Sequence, residues 1–457
     1  MNRKTLMSLA VFAVLGVGTY FALRGPEKGD RTGDKPRPVA KVAPGDVDTL
    51  EVTRNGTTTV LKKDGAKYKV VSPVAYAADD AVVKSAFETI EKLEFSNLVT
   101  EQKTRQAEFE VEDAKAIHVV AKGPKASGGA VVDLLVGKTS GSGTMVRPSG
   151  KDEIWEASGS VRYTFDKAPA DWRDKSITTF SMTDAEKIDV KAKDGSKIAL
   201  KKNGEKWEVA EASLKVEKLD DTVPSGLVSA LATFKANDFA DAAKPPETGL
   251  DMPALTVTVG LKGGKSAALL VGNKKTDDDF YVKAADKPQI FLVKKYNVER
   301  VNKRPIDFRD KTLCNVADAD LGDVSVTSSE KDRSYAISKS GSDWKASKPA
   351  KLDLDSSKVT PIAGAFKEWK AQSYSEDSAP GVTGLDKPKA VIAAKSKKGA
   401  AESCTIKIGN ETKDKQSYYA QIAKGPDVLL VPKWSVDRIL VKPDDLKKAG
   451  GTSVAKK

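Results

Sequence analysis

The chain has 457 residues, 39% hydrophobic and 31% charged, which gives room for roughly three domains with ordinary cores and argues against wholesale disorder. Its formal charge is +12, yet 62 lysines outnumber 14 arginines and are interleaved with 64 acidic residues along the whole length. That pattern reads as solubilising lysine, with weak attraction to anionic lipid headgroups as a second reading; no nucleic-acid partner is expected, because such a surface concentrates basic residues on one face and favours arginine.

Arg3 and Lys4 precede an uncharged run from Thr5 to Leu23, closed by Arg24. As a helix, this run spans roughly 28 Å, close to the hydrocarbon thickness of a bilayer. A cleaved signal peptide has a shorter apolar stretch ending in a small-x-small site, and Gly16-Val17-Gly18 lies inside the run instead. Tyr20 and Phe21 suit an interfacial anchor. No cysteine ends the run, so a lipobox is absent. The expectation is an uncleaved transmembrane helix over residues 1–24. Arg24, Lys28, Arg31, Lys35 and Arg37 oppose export by simple charge counting. The rule weakens before a long domain, however, and Glu27, Asp30 and Asp34 dilute the charge. The bulk of the chain is therefore expected on the extracytoplasmic side, after a flexible Pro- and Gly-rich stalk at residues 25–44.

Beyond the stalk the sequence repeats. Asp64-Gly65-Ala66-Lys67-Tyr68 returns as Asn203-Gly204-Glu205-Lys206-Trp207 and as Ser340-Gly341-Ser342-Asp343-Trp344, with the aromatics 139 and 137 residues apart. Each phrase predicts a hairpin turn leading into a strand. Thr248-Gly249-Leu250-Asp251-Met252-Pro253 is matched by Thr383-Gly384-Leu385-Asp386-Lys387-Pro388, and in the first copy it has decayed to Phe109-Glu110-Val111-Glu112-Asp113. A third landmark is a strand ending in glycine, at Gly137, Gly272 and Gly409. The boundaries predicted from these landmarks are repeat units at 45–176, 177–313 and 314–448, with a disordered tail at 449–457.

Each unit carries one amphipathic helical stripe: Val83, Phe87, Ile90 and Leu93; Leu219, Val223, Leu227, Leu231 and Phe234; and Val359, Ile362, Phe366 and Trp369. Asp79, Asp220 and Asp355 precede them as caps, and Pro224 and Pro361 predict that the regular helix starts at or near the proline. Alternating strands follow, in the second copy at Leu255–Val259, Ala267–Val271, Phe280–Val282 and Ile290–Val293. Short helices at residues 161–166, 296–302 and 434–441 close the units. The fold class is α+β: three tandem repeats of a mainly antiparallel β unit with one amphipathic helix each, after the transmembrane helix.

Motifs with chemical potential are few. Gly260-Leu261-Lys262-Gly263-Gly264-Lys265-Ser266 lacks the spacing and following helix of a phosphate loop and predicts a hairpin turn. Asp277-Asp278-Asp279 lacks the alternation of a calcium loop and reads as a solvated hairpin tip. His118, the sole histidine, sits in an alternating strand and rules out a histidine-cluster metal site. Cys314 and Cys404 are too few for a disulfide framework, though they are free to pair in an oxidising compartment. No catalytic residue, cofactor or metal site is expected. Asp171-Trp172-Arg173-Asp174-Lys175 and Asp307-Phe308-Arg309-Asp310-Lys311 stand at the unit junctions, and no Arg-Asp-Lys phrase follows the last unit. The phrase suits partner docking or, as its placement favours, pinning one repeat on the next.

The basic start with its apolar run, the hairpin aromatic, the Gly-Leu-Asp-x-Pro turn, the Val-Gly-Asn strand end and the Asp-aromatic-Arg-Asp-Lys phrase together resemble the domain-of-unknown-function family numbered 4340. The resemblance covers nearly all of residues 45–448 and is strongest in the second unit. It implies a bacterial inner-membrane protein with a periplasmic bulk, often encoded beside gliding-motility-type ABC export systems, and it transfers no catalytic residue. The function expected is thus a non-enzymatic, membrane-tethered scaffold or accessory protein of an envelope transport or motility assembly. One alternative is a binding protein for cell-wall glycan or peptide that uses Trp155, Trp172, Trp207, Trp344, Trp369 and Trp434. The other is a hydrolase using paired carboxylates.

Overall fold

The computed structural model describes Val39 and residues 41–124, 129–141, 143–350 and 352–448. The expected anchor, most of the stalk and the tail lie outside the described residues. No helix among the described residues is long and apolar enough to cross a membrane. The chain divides into two compact units. Of the described residues, one unit takes those up to Ser176 together with Lys235–Asp241, and the other takes Ile177–Phe234 and those from Ala242 to Lys448.

The first copy is built on a nine-stranded antiparallel sheet in the spatial order Tyr76–Ala77, Lys67–Ser72, Thr57–Asp64, Thr49–Arg54, Ile117–Lys122, Ala130–Ser140, Gly143–Pro148, Ile154–Ser158 and Phe95–Thr100. Its register pairs apolar residues across neighbouring strands, Val52 with Val119 and Val119 with Leu134, so alternate side chains of each strand meet on one face. The helix Asp80–Glu91 adds Val83, Phe87 and Ile90 to that core, with the Tyr68 and Phe87 ring centroids 5.2 Å apart. Val42, at the end of the expected stalk, is already buried in this core.

The same strand order recurs twice. In the second copy Lys206–Ala212, Lys197–Asn203, Ala185–Ala192, Leu255–Leu261, Ser266–Lys274, Asp279–Ala284 and Phe291–Lys294 follow one another as neighbours. In the third the order is Asp343–Lys348, Tyr335–Ser340, Leu321–Ser328, Ala390–Ser396, Gly399–Glu411, Ser417–Ile422, Leu429–Pro432 and Ser373–Tyr374. The fold is α+β with antiparallel sheets.

Capping by aspartate starts the long helices. The Asp79 carboxylate accepts the N–H groups of Ala81 and Val82, and Asp355 accepts that of Ser357 at 2.9 Å. In the second copy Asp220 accepts the N–H and hydroxyl of Thr222, where the helix Thr222–Ala232 begins. Pro224 lies in the first turn of that helix, as expected, but the stripe is shorter than its residues suggested. Leu219 lies before the helix and Phe234 in a strand after it. The third copy corrects the proline rule. The helix Ser356–Ala363 contains Pro361 in its interior, because the Asp355 cap and the Thr360 hydroxyl on the Ser356 carbonyl (2.7 Å) start it earlier. The proline offers no N–H to the preceding turn, and the helix gives way to a 3₁₀ turn at Gly364–Phe366.

Candidate functional site: arginine clasps at the copy junctions

The Asp-aromatic-Arg phrases begin as 3₁₀ turns, Pro169–Trp172 and Pro305–Phe308, each opened by a proline whose missing N–H costs nothing at that position. Asp171 accepts the N–H of Ala168 at 3.3 Å, and Asp307 accepts that of Arg304 at 2.8 Å. Trp172 and Phe308 are fully buried. Their carbonyls accept the N–H groups of Asp79 and Asp220, the residues that start each copy's long helix. Asp174 and Asp310 likewise donate their backbone N–H groups to Ala77 and Lys218. The aspartates and the aromatic are thus tied to the copy that ends with them.

The arginine points onward. Arg173 grips Asp241 with two bonds, Nη1–Oδ2 at 2.6 Å and Nη2–Oδ1 at 3.0 Å. Its guanidinium lies 3.5 Å from the centroid of Phe239 and 4.7 Å from that of Tyr76, and its side chain is 3% exposed. Arg309, 16% exposed, repeats the grip on Asp427, with Nη1–Oδ1 at 3.0 Å, and lies 4.6 Å from the Tyr374 centroid. The Tyr374 hydroxyl donates to the Asp310 carbonyl at 2.7 Å, and Arg304 pairs with Glu376 at 2.5 Å. Paired charge and aromatic faces are what a desolvated guanidinium requires.

Hydrogen bonds and neighbouring charge favour the ionised forms of Arg309, Asp310, Asp171 and Asp220. The bond to Asp427 outweighs burial and holds the Arg309 guanidinium above its ordinary value. Burial pushes the Asp310 carboxyl up, but bonds from Lys218 and Thr312 together hold it below the usual carboxylate range. Asp171 shows the same balance, with Lys175 and the Ala168 N–H prevailing over burial. Asp220 shows it again, with Thr222 and Lys311 prevailing. Paired ions of this kind hold structure through charge and hydrogen bonding together.

The third copy lacks the Arg-Asp-Lys phrase, as expected, but keeps its backbone turn. Pro443–Leu446 forms the same proline-led 3₁₀ turn, with Asp445 accepting the Lys442 N–H at 3.2 Å and Leu446 buried. Leu446 accepts the Asp355 N–H, and Lys448 donates to Asp353 as Asp174 does to Ala77. An isolated bridge joins Leu354 to Lys447, as bridges join Ala78 to Arg173 and Leu219 to Arg309. Leucine replaces the aromatic and lysine the arginine, so the motif was invisible to a search for Arg-Asp-Lys. The clasp partners Phe239, Asp241, Tyr374 and Asp427 were missed as well. A usable signal existed: Phe239-Ala240-Asp241 and Tyr374-Ser375-Glu376 are aromatic-x-acid triplets at the repeat spacing.

Elsewhere the geometry is plain. His118 Nε2 lies 2.7 Å from Asp133 Oδ1 on the partly exposed face of the first sheet. Lys262–Gly264 is a hairpin turn between paired strands, with Gly263 and Gly264 at φ +73° and +74°. Asp279, in the acidic triplet, pairs with Lys294 at 2.9 Å and accepts from Thr276. Among the described residues no group of histidine, cysteine, aspartate and glutamate side chains is placed to hold a metal ion. Trp155, Trp172, Trp207 and Trp369 are buried and Trp344 is half-buried, so the tryptophans form no exposed row; Trp434 alone of the six is largely exposed, at 67%. Cys314 and Cys404 form a disulfide with Cα atoms 5.6 Å apart. Beside it a groove of about 700 Å³ is lined by Leu313, Ala393, Ala400, Ile422, Lys395 and Lys424 among others.

The family described as Domain of unknown function (DUF4340) matches three segments, residues 69–253, 246–388 and 344–450. The chain belongs to the DUF4340 family. The first match starts in the Lys67–Ser72 strand of copy 1 and ends at Pro253 in copy 2, so a single DUF4340 match contains a complete junction with its clasp. No curated protein matches this DUF4340 chain. Among solved structures it is similar to a DNA polymerase sliding clamp from Pseudomonas aeruginosa with ligand, at 7% identity over 86% of this chain and 93% of that one, with a TM-score of 0.14. The DNA polymerase III subunit beta of Pseudomonas aeruginosa gives 8% identity, 86% and 94% coverage and a TM-score of 0.13. At such TM-scores the likeness carries no argument.

Proposed function

We propose that this DUF4340 chain is a non-enzymatic scaffold or accessory protein of an envelope transport or motility assembly, tethered to the membrane by residues 5–23 and facing the extracytoplasmic side. The observation that carries the reading is the pair of arginine clasps. Buried, bidentate and ring-covered, they spend the phrase's charge on holding distant segments of the chain together, as a load-carrying array requires and a catalytic cleft does not. The Cys314–Cys404 disulfide agrees with an oxidising compartment. Affinity capture of the tagged full chain from detergent-solubilised membranes tests the proposal. Co-purifying membrane transporter subunits are expected, and recovery of the chain alone overturns it. Alkaline phosphatase fused after Lys448 tests the orientation independently, with activity expected.

A second reading, binding of a small acidic peptide or glycan, is favoured by the groove beside the disulfide, whose volume suits a small ligand. Calorimetry of the full chain with peptidoglycan fragments tests it, a null titration excluding those ligands.

A further inference from the structure

The three proline-led turns are the same device in different states. In copy 1 the turn carries Arg173, buried against Phe239 and Asp241. In copy 2 it carries Arg309, covered by Tyr374 and Asp427. In copy 3 the frame is intact, but the cation at the clasp position, Lys447, is 51% exposed. Its ion pair is with Asp444, a neighbour on its own turn that is itself 78% exposed. An exposed pair at i, i+3 is worth little and is readily exchanged.

The surroundings match this difference. Beside Pro169 and Arg173 lies a cavity of about 240 Å³ that Asp241 helps to line. The corresponding place beside Pro443 is a cavity of about 370 Å³ lined by Lys348, Pro349, Asp332 and Ser334. Lys348, Lys442, Lys447 and Lys448 stand on this end of the copy, and the acids Asp332, Asp353 and Asp444 are all on its exposed surface.

We infer that the turn at Pro443–Lys447 is a docking site for an extended segment of a partner protein that carries an aromatic residue followed two positions later by an aspartate or glutamate. The occupant's chemistry is taken from the chain itself. Phe239-x-Asp241 fills the equivalent place in copy 1; in copy 2 Tyr374 covers Arg309 and the acid of its triplet, Glu376, pairs with Arg304 on the same turn, while Asp427 holds Arg309. A second copy of this chain does not fit that description. Its own counterpart is the end of the strand Phe95–Thr100, which pairs with Ile154–Ser158; Leu98, Val99 and Thr100 stand there, and none has a ring to cover the cation. Lysine in place of arginine keeps the charge but loses the planar fork, which suits an exchangeable partner better than a permanent joint.

This site rests on the scaffold reading for its purpose but not for its chemistry. The test is fluorescence anisotropy of the full chain with a labelled peptide of the sequence of residues 235–241, Lys-Ala-Asn-Asp-Phe-Ala-Asp, at low ionic strength. Saturable binding is expected. It is weakened tenfold or more by Lys447→Glu and by a peptide with alanine for the phenylalanine and asparagine for the last aspartate, and it is tightened by Lys447→Arg. Lys447 is half exposed, and circular dichroism confirms that each variant is folded. Equal binding of the two peptides, or no effect of Lys447→Glu, overturns the site. Dimers of the chain in sedimentation that Lys447→Glu abolishes overturn its assignment to a foreign partner. If the peptide binds as expected while affinity capture returns the chain alone, the scaffold reading fails and the site stands; the reverse pair of results removes only the site.

Discussion

Gly272 packs so closely on Thr248 that a Cβ on the glycine would lie 2.0 Å from the Thr248 carbonyl oxygen. The same relationship joins Gly409 to Thr383 at 2.0 Å and Gly137 to Phe109 at 2.1 Å. In the first and third pairs the residue after the glycine donates its N–H to this same carbonyl, Asn273 N–H to Thr248 (2.7 Å) and Lys138 N–H to Phe109 (3.0 Å). The Gly-Leu-Asp turn and the strand-ending glycine, two separate landmarks in the sequence, are therefore halves of one contact.

Gly272→Ala and Gly409→Ala are accordingly expected to destabilise their copies by about 2–3 kcal/mol, because backbone, not a flexible side chain, must move. Gly204→Ala, at φ +60° in an open hairpin turn, should cost only about 1 kcal/mol. Urea unfolding of the three variants checks the order. Equal losses at Gly272 and Gly204 would show that the close approach is not what fixes the glycine.

Glu110 stands in copy 1 where Gly249 and Gly384 stand in the others, and it holds φ +57°. Glu110→Gly should relieve roughly 1 kcal/mol of backbone strain. That gain is partly offset by the surface pair with Arg162 at 2.6 Å, worth at most about 1 kcal/mol. The expected result is unchanged or slightly raised stability; a loss beyond about 1 kcal/mol would contradict it.

The pH dependence follows from carboxylates held below their ordinary value. Asp171, Asp220 and Asp310 are depressed from 3.8 in the folded chain, so the stability they confer is present above that unfolded value and is lost as pH falls through their lower folded values. Thermal unfolding between pH 6 and pH 2 should show a steep fall below about pH 4. Asp310→Asn should start from a lower stability and fall less steeply. An unchanged slope would mean that Asp310 is not among the groups responsible.

Reduction of the Cys314–Cys404 disulfide, or Cys404→Ser, should lower the stability of the third copy by about 3–4 kcal/mol, given the 90 residues between the cysteines. Differential scanning calorimetry with and without reductant reads the shift, and the Gly272→Ala transition serves as a marker of the second copy.

Much of this architecture was legible because it was written more than once. The hairpin aromatics, the stripes with Phe87 and Leu227, and the strand-ending glycines each repeat at one period, and periodicity reports burial directly. Pro361 misled because a capping aspartate six residues earlier outweighed a single absent donor. The clasps were half legible. Arg173 and Arg309 were visible as a repeated phrase, whereas their partners lie 68 and 118 residues away and are chosen by packing, which no local pattern records. The third turn was hidden by the substitution of Leu446 and Lys447, which keep the backbone device while changing the side chains that advertised it.

The claim on which the rest depends is that Arg173 and Asp241 hold each other in a desolvated clasp. A double-mutant cycle with Arg173→Ala and Asp241→Ala, read by urea unfolding, measures this directly. The expected coupling is about 2 kcal/mol, with Arg173→Lys failing to restore wild-type stability because the bidentate fork and its ring contacts are lost. Additive single effects, with no coupling between the two positions, would contradict the clasp.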